Sequence, residues 1–114
     1  LDADADNRDE IVASSLSFNV FALDASGTPS WRTNLGSPVR SLTAADVNGD
    51  GRKELIAGCD DGRILVLDGQ GACVGHFQAA SRAQQLVAAQ LEPGKRQQIV
   101  ARLLDGTLVA FQWE

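Results

Sequence analysis

The residues best suited to chemistry lie in one short run, Asp46-x-Asn48-x-Asp50-Gly51-x-x-Glu54. Oxygen-bearing side chains at alternate positions of a tight loop can converge on one point. Ca²⁺ is a hard cation that takes roughly six to eight oxygens at about 2.3–2.6 Å. Asp46, Asn48 and Asp50 supply side-chain oxygens, Gly51 permits the sharp turn, the Arg52 carbonyl can face inward, and Glu54 closes the set. Magnesium demands stricter octahedral geometry and retains more water, so Ca²⁺ is the expected ion. A helix–loop–helix calcium site needs its closing acid at position twelve. Counted from Asp46 that position is Ala57, inside a predicted strand, so neither that site nor a dockerin loop fits.

The same pattern stands earlier in the chain. Asp2, Asp4, Asp6, the Arg8 carbonyl and Glu10 reproduce the set. A third copy carries Gln90, Glu92, Gly94 and Gln98, lacks the charges, and is not expected to bind metal. The expected metal role is structural: the ion neutralises crowded carboxylates and pins the loop between two strands. No catalytic constellation stands beside it. His76 is the single histidine, and Ser14, Ser15 and Ser17 have no base partner. Gly69-x-Gly71 is too short for a dinucleotide loop, which opens a helix. The chain by itself is therefore expected not to be an enzyme.

The formal net charge of -5 argues against nucleic acid, which requires a basic stripe to replace counterions. The acid is concentrated, with Asp2, Asp4, Asp6, Asp9 and Glu10 at one place and Asp46, Asp50, Glu54, Asp60 and Asp61 at another. Cys59 and Cys73 make no disulfide framework. They fall two strands apart in one predicted sheet, roughly 9–10 Å at a strand spacing of ~4.8 Å. A bridge needs Cα atoms closer than about 7 Å, so both are expected to be small packing residues. No segment has the form of a signal peptide or is apolar for long enough to span a bilayer.

These residues are positioned by a repeat. A shift of 44 lays Asp46–Ala57 over Asp2–Ala13 and over Gln90–Ala101. The same shift lays Asp61-Gly62 over Asp105-Gly106, and Leu23-Asp24 over Leu67-Asp68. A fixed period of this size means one supersecondary unit stacked on copies of itself. The central copy reads as four strands: Ser41–Val47, Glu54–Gly58, Arg63–Leu67 and Cys73–Gln78. Asp-Gly pairs at the turns suit tight hairpins. Leu55-Ile56-Ala57, Ile64–Leu67, Val20–Leu23 and Leu108–Phe111 are continuous apolar runs. A sheet with one wet face alternates instead, so both faces of these strands should be buried. Four-stranded antiparallel sheets covered on both faces by sister sheets are the blades of an all-β propeller. A parallel solenoid lacks hairpin turns at every link and ranks behind. In the stretch 79–91 a loop and the small-residue strand of the third copy are expected.

The segment Ala44-Ala-Asp-Val-Asn-Gly-Asp-Gly-Arg-Lys-Glu-Leu-Ile-Ala-Gly58, followed by Asp61-Gly62 and Ile64-Leu-Val-Leu-Asp68, resembles the FG-GAP/VCBS repeat. That family includes integrin-type β-propellers whose blades carry Ca²⁺ in a loop of this spacing. The resemblance implies metal ligation by Asp46, Asn48, Asp50, Arg52 and Glu54, and by Asp2, Asp4, Asp6, Arg8 and Glu10. Glu54 stands where a final Asp is more usual, and the Phe-Gly…Gly-Ala-Pro signature is absent. Gly27-Thr-Pro-Ser-Trp31 also resembles the docking tryptophan of quinoprotein-type propeller repeats, which implies that Trp31 packs between blades.

The chain then divides into an incomplete blade over 1–42, a complete one over 43–86 and an incomplete one over 87–114, about two and a half repeats. The propeller is either partial or completed by oligomerisation. Two chains would give about six blades, within the usual range of ~4–8. The leading functional expectation is a calcium-stabilised propeller module for binding or scaffolding. The alternatives are an accessory segment of a polysaccharide-degrading or quinoprotein-like enzyme, and a self-assembling fragment that closes a ring. Expected partners are neighbouring blades or identical chains, with a protein or glycan ligand. The expected location is extracellular or periplasmic.

Overall fold

A computed structural model describes residues 11–14, 18–24, 26–49, 51–89 and 97–111. Within them the chain is all-β and its strands form three antiparallel sheets. The first joins β1 (Ile11–Ser14), β2 (Asn19–Leu23) and β3 (Pro29–Asn34) in that order. The second joins β4 (Val39–Ala45), β5 (Glu54–Cys59), β6 (Arg63–Leu67) and β7 (Cys73–Gln78). The third joins β8 (Ala83–Ala89), β9 (Gln98–Leu103) and β10 (Leu108–Phe111). These are the propeller blades that the period implies. The sheets divide the chain at 35–38 and 79–82, a few residues ahead of the divisions at 42/43 and 86/87. β4 starts and ends two residues before the predicted Ser41–Val47, because Val39 already pairs with Cys59.

Register explains why the central sheet is apolar on both faces. Leu55, Ala57 and Cys59 of β5 share a face with Leu65 and Leu67 of β6, and pack with Val20, Leu35 and Val39 against the first sheet. Ile56, Ile64 and Val66 point the other way and pack with Leu86, Ile99, Ala101 and Leu103 of the third. Every residue of β5 is buried. At about 25 cal/mol per Å² of apolar surface, these two inter-sheet cores are the main favourable term holding the blades together.

The flanking sheets are buried less evenly than the central one. β2 alternates between half-buried and buried positions, and β10 between exposed and half-buried ones. Among the described residues each flanking sheet packs against a neighbouring sheet on one face. The expectation that both cysteines pack is corrected for Cys73, which is exposed at the start of the outer strand β7, whereas Cys59 is buried in the core.

The 44-residue period extends to the hydrogen bonds that fix one blade's linker to its own hairpin. Leu35 N donates to Phe18 O at 2.8 Å, and Ala79 N to Gly62 O at 2.9 Å. Asp60 N donates to Pro38 O at 2.8 Å, and Leu104 N to Arg82 O at 3.0 Å. Phe18 occupies the position that Gly62 and Gly106 hold in the other copies, and it shares their left-handed backbone, with φ 79° against 90° and 87°.

Candidate metal loop and the blade junctions

Asp46 follows β4 and Glu54 opens β5, and the antiparallel register sets Ala45 opposite Glu54. The loop between them folds back on Asp46. Asp46 Oδ1 accepts from Gly49 N at 2.8 Å and Oδ2 from Gly51 N at 2.9 Å. Gly49 and Gly51 both have positive φ, 78° and 85°, which turns these amides toward the carboxylate. Glu54 Oε1 accepts from Val47 N at 3.3 Å, and its side chain is buried. Asn48 and Arg52 lie on the exposed side of the loop. Asp50 lies outside the described residues, as do Asp2, Asp4, Asp6, Arg8 and Glu10 of the first copy and Gln90, Glu92 and Gly94 of the third.

Asp46 and Glu54 thus stand at the two ends of one closed loop. Among the described residues no group of three or more His, Cys, Asp or Glu side chains is close enough to hold a metal. The donor chemistry nevertheless suits a hard cation. An ionised carboxylate offers about four acceptor sites, so capping backbone amides and ligating Ca²⁺ are compatible roles. A buried carboxylate is tolerated only where its charge is compensated.

One contact of this loop carries no sequence signal. Asp46 N donates to Gln97 Oε1 at 2.8 Å, and Gln97 N donates to Asp46 O at 2.7 Å. The pair ties the acidic loop of the central blade to the residue just before β9 in the next. Gln97 occupies the repeat position of Lys53, so the 44-residue pattern gave no warning of a new role.

The central acidic group is split by the fold. Asp60 and Asp61 occupy the β5–β6 turn, at the opposite end of the sheet from Asp46. Asp60 Oδ1 accepts from Arg82 Nη1 at 2.8 Å and from Arg40 Nε at 3.0 Å. These two guanidinium groups, Arg82 foremost, hold its carboxyl below the ordinary range. Arg82 precedes β8, so this cluster also spans two blades. Asp61 Oδ2 pairs with Arg63 Nε at 2.6 Å, and Arg63 Nη2 donates to Leu35 O at 2.6 Å.

The first junction uses different groups. Trp31 Nε1 donates to Gly69 O at 3.0 Å and Thr33 Oγ1 to Gly71 O at 2.6 Å. Trp31 therefore packs between blades, against the β6–β7 turn, as the resemblance to quinoprotein-type repeats implied. At the second junction Phe77 and Phe111 stack with ring centroids 4.7 Å apart.

His76 is exposed on β7. Burial pushes the Cys59 thiol up to about 11, with the Asp61 charge adding to the shift. A thiol so disposed is inert at neutral pH. Ser15 and Ser17 lie outside the described residues. Among the described residues no helix is long and apolar enough to cross a membrane.

The sequence model of the λ-carrageenase β-propeller domain matches residues 2–111. No curated protein matches the chain. Solved structures match in fold. BBS1N, in its complex with ARL6DN, is 18% identical with a TM-score of 0.78, over 90% of this chain and 31% of that one. BamB from Moraxella catarrhalis is 17% identical with a TM-score of 0.69, over 91% and 29%. The computationally designed Ika4 protein is 17% identical with a TM-score of 0.68, over 95% and 62%. This chain thus spans about a third or less of the first two and under two thirds of the third. The chain belongs to the λ-carrageenase β-propeller domain family.

Proposed function

We propose, with that membership as premise, that the chain is a binding and scaffolding propeller segment of a polysaccharide-degrading enzyme. In this reading it has no catalytic centre of its own, and Ca²⁺ in the Asp46–Glu54 loop stabilises it. The family name supports the enzyme setting. The binding role draws on BBS1N, a propeller-like neighbour solved in complex with ARL6DN. An extracellular or periplasmic location belongs to the same proposal.

The observation that carries the calcium reading is the loop itself. The Asp46 carboxylate is fixed by two backbone amides, and Glu54 is drawn into a buried position at the other end. A cation there would supply positive charge between carboxylates that the fold already holds. This corresponds to the FG-GAP/VCBS type of blade, with Asp46, Asn48, Asp50, the Arg52 carbonyl and Glu54 as ligands.

The third copy supplies an internal control. Gln98 stands at the repeat position of Glu54 and is buried to the same degree, 6% against 7% exposed. An uncharged amide of this length therefore fits the site. Glu54→Gln should keep the acceptor for Val47 N while removing a ligand charge. The test is a calcium titration followed by thermal melting. At Ca²⁺ a hundredfold above its Kd, bound metal raises stability by about 2.7 kcal/mol. Glu54→Gln should fold and lose most of that gain. A melt indifferent to calcium and to chelator would overturn the calcium reading. The binding role is tested separately, by retardation of the chain in gels containing λ-carrageenan and by assay of the same polysaccharide for cleavage. Retardation without cleavage is expected. Cleavage by the chain alone would overturn the non-catalytic reading, and absence of retardation would remove the glycan from its ligands.

A further inference from the structure

The 44-residue repeat separates what a blade requires from what this chain adds. The additions gather at one end of the sheets, the end of the β5–β6 turn and of the linkers 35–38 and 79–82. Phe18 stands there with φ 79°, where the other copies have Gly62 and Gly106. A bulky residue is strained in that conformation, and this one is 42% exposed. The sister blades close with glycine, so neither the turn nor the core calls for an aromatic ring at this place. Arg40, Arg63 and Arg82 are additions too. Arg40 is Gln84 in the next copy, Arg82 is Pro38 in the preceding one, and Arg63 is Asn19 and Thr107 in its two counterparts.

Two of these guanidinium groups converge on one oxygen, Asp60 Oδ1, Arg82 through Nη1 and Arg40 through Nε. Among the described residues nothing accepts from Nη1 and Nη2 of Arg40 or from Nε and Nη2 of Arg82. Both side chains are about a third exposed, 37% and 32%. Arg63 is held by Asp61 Oδ2 and Leu35 O. Three guanidinium groups against two carboxylates leave positive charge here, and Arg102 near the end of β9 offsets Asp105 in the turn beyond it. Among the described residues the opposite end carries Asp24, Asp46, Glu54 and Asp68 against Arg52 and Lys53. Leu35 joins the ring to the arginines: its N donates to Phe18 O at 2.8 Å, and its O accepts from Arg63 Nη2 at 2.6 Å. Three residues on, Pro38 O accepts from Asp60 N at 2.8 Å. Ring, linker and arginine group thus follow one another along one rim.

We propose that this rim binds a sulfated polysaccharide chain, with Phe18 stacked on the face of a sugar ring and Arg40 and Arg82 donating to a sulfate ester. The inference rests on the glycan-binding role proposed for the chain and gives that role a surface. Sulfate oxygens, like phosphate oxygens, match the planar guanidinium fork. The C–H groups of a sugar face suit the negative face of an aromatic ring. The charge of the two ends decides the placement: a polyanion is attracted to the arginine rim and repelled by the acidic loop at the other end.

The test is affinity electrophoresis of the full chain in polyacrylamide containing λ-carrageenan, which is sulfated, alginate, whose charges are carboxylates, or agarose, a neutral galactan. Each run is read against a gel without polysaccharide. The unaltered chain should be retarded most by λ-carrageenan. Arg40→Gln and Arg82→Gln should each raise the Kd for it roughly tenfold. Phe18→Leu keeps apolar bulk without a ring face and should also weaken binding, whereas Phe18→Trp should retain it. Lys53→Gln removes the same charge at the opposite end, takes the residue that the third copy has at Gln97, and should bind like the unaltered chain. Circular dichroism checks that each variant keeps its strands. Arg40→Lys or Arg82→Lys replaces a glutamine variant that does not; it keeps the charge beside Asp60, loses the fork and should bind less tightly. Undiminished binding by both arginine variants or by Phe18→Leu overturns the inference and leaves the glycan role standing. So does equal retardation by alginate, or a loss in Lys53→Gln as large as at the arginines. No retardation of the unaltered chain overturns both.

Discussion

Gly27 and Gly71 are repeat counterparts, so changing each to alanine separates backbone strain from blade docking. Both have left-handed backbone, φ 82° and 84°. Both close the same turn: Gly27 N donates to Asp24 O at 2.9 Å and Gly71 N to Asp68 O at 3.1 Å. The aspartates cap both turns alike, each accepting through Oδ1 from two later backbone amides. Only the surroundings differ. A Cβ on Gly27 meets nothing within 4 Å, whereas one on Gly71 would lie 2.6 Å from Trp31 Cε3 and 2.7 Å from Thr33 Oγ1. Gly27→Ala should therefore cost only left-handed strain, about 1–2 kcal/mol, reduced by ~0.4–1 kcal/mol through the stiffer unfolded chain. Gly71→Ala incurs the same cost and must also push the indole out of ordinary contact. That endangers two inter-blade hydrogen bonds, each worth about 1 kcal/mol, on top of overpacking of ~1–3 kcal/mol. We expect Gly71→Ala to be about 2–3 kcal/mol worse than Gly27→Ala, measured by urea unfolding followed by circular dichroism. In a Trp31→Ala background the gap should shrink without closing, because the indole is gone while Thr33 Oγ1 still stands 2.7 Å from the new Cβ. Equal destabilisation by the two alanines in the unaltered background would refute the reasoning.

Further outcomes are expected at four other places. Gly58→Ala should destabilise by about 1–3 kcal/mol, since its Cβ would collide with Ser41 Oγ and crowd Ala83 at 3.3 Å; a neutral melt would show that the inner strands can separate at little cost. Phe18→Gly should be more stable than Phe18→Ala by about 1 kcal/mol, because both lose the ring and only glycine relieves the left-handed backbone. Asp60 has a folded pKa below its ordinary 3.8, so its contribution is present above that value and is lost as pH falls through the folded pKa. Acid unfolding should be less steep below about pH 4 in Asp60→Asn, and an unchanged acid limb would show that the arginine pair contributes nothing. Cys73 should react with a thiol reagent in the folded protein while Cys59 reacts only on unfolding; equal reactivity would contradict the burial of Cys59.

The sequence by itself determined the unit and its local geometry. The 44-residue period, the Asp-Gly turns and the apolar runs are local features, and they placed β6 and β7 at their observed bounds and β5 within one residue. They also identified the central sheet as covered on both faces. The closed loop between Asp46 and Glu54 was legible for the same reason: adjacent strands and a tight turn bring those residues together with little help from elsewhere. Trp31 was legible through the resemblance of Gly27–Trp31 to a quinoprotein-type repeat. The tertiary structure alone decided which chemically ordinary residues meet across blades. Gln97 reaches Asp46 across 51 positions, Trp31 reaches Gly69 across 38 and Arg82 reaches Asp60 across 22. None of these offsets equals the period, because each partner is set by how one twisted sheet is rotated on the next. Asp60 and Asp46 lie at opposite ends of a blade because β5 runs between them. Leu108 is exposed, although Ile64 at the same place in the repeat is fully buried, because no further sheet stands against it among the described residues. A local pattern states that a face is apolar; only the arrangement of the sheets decides whether anything covers it.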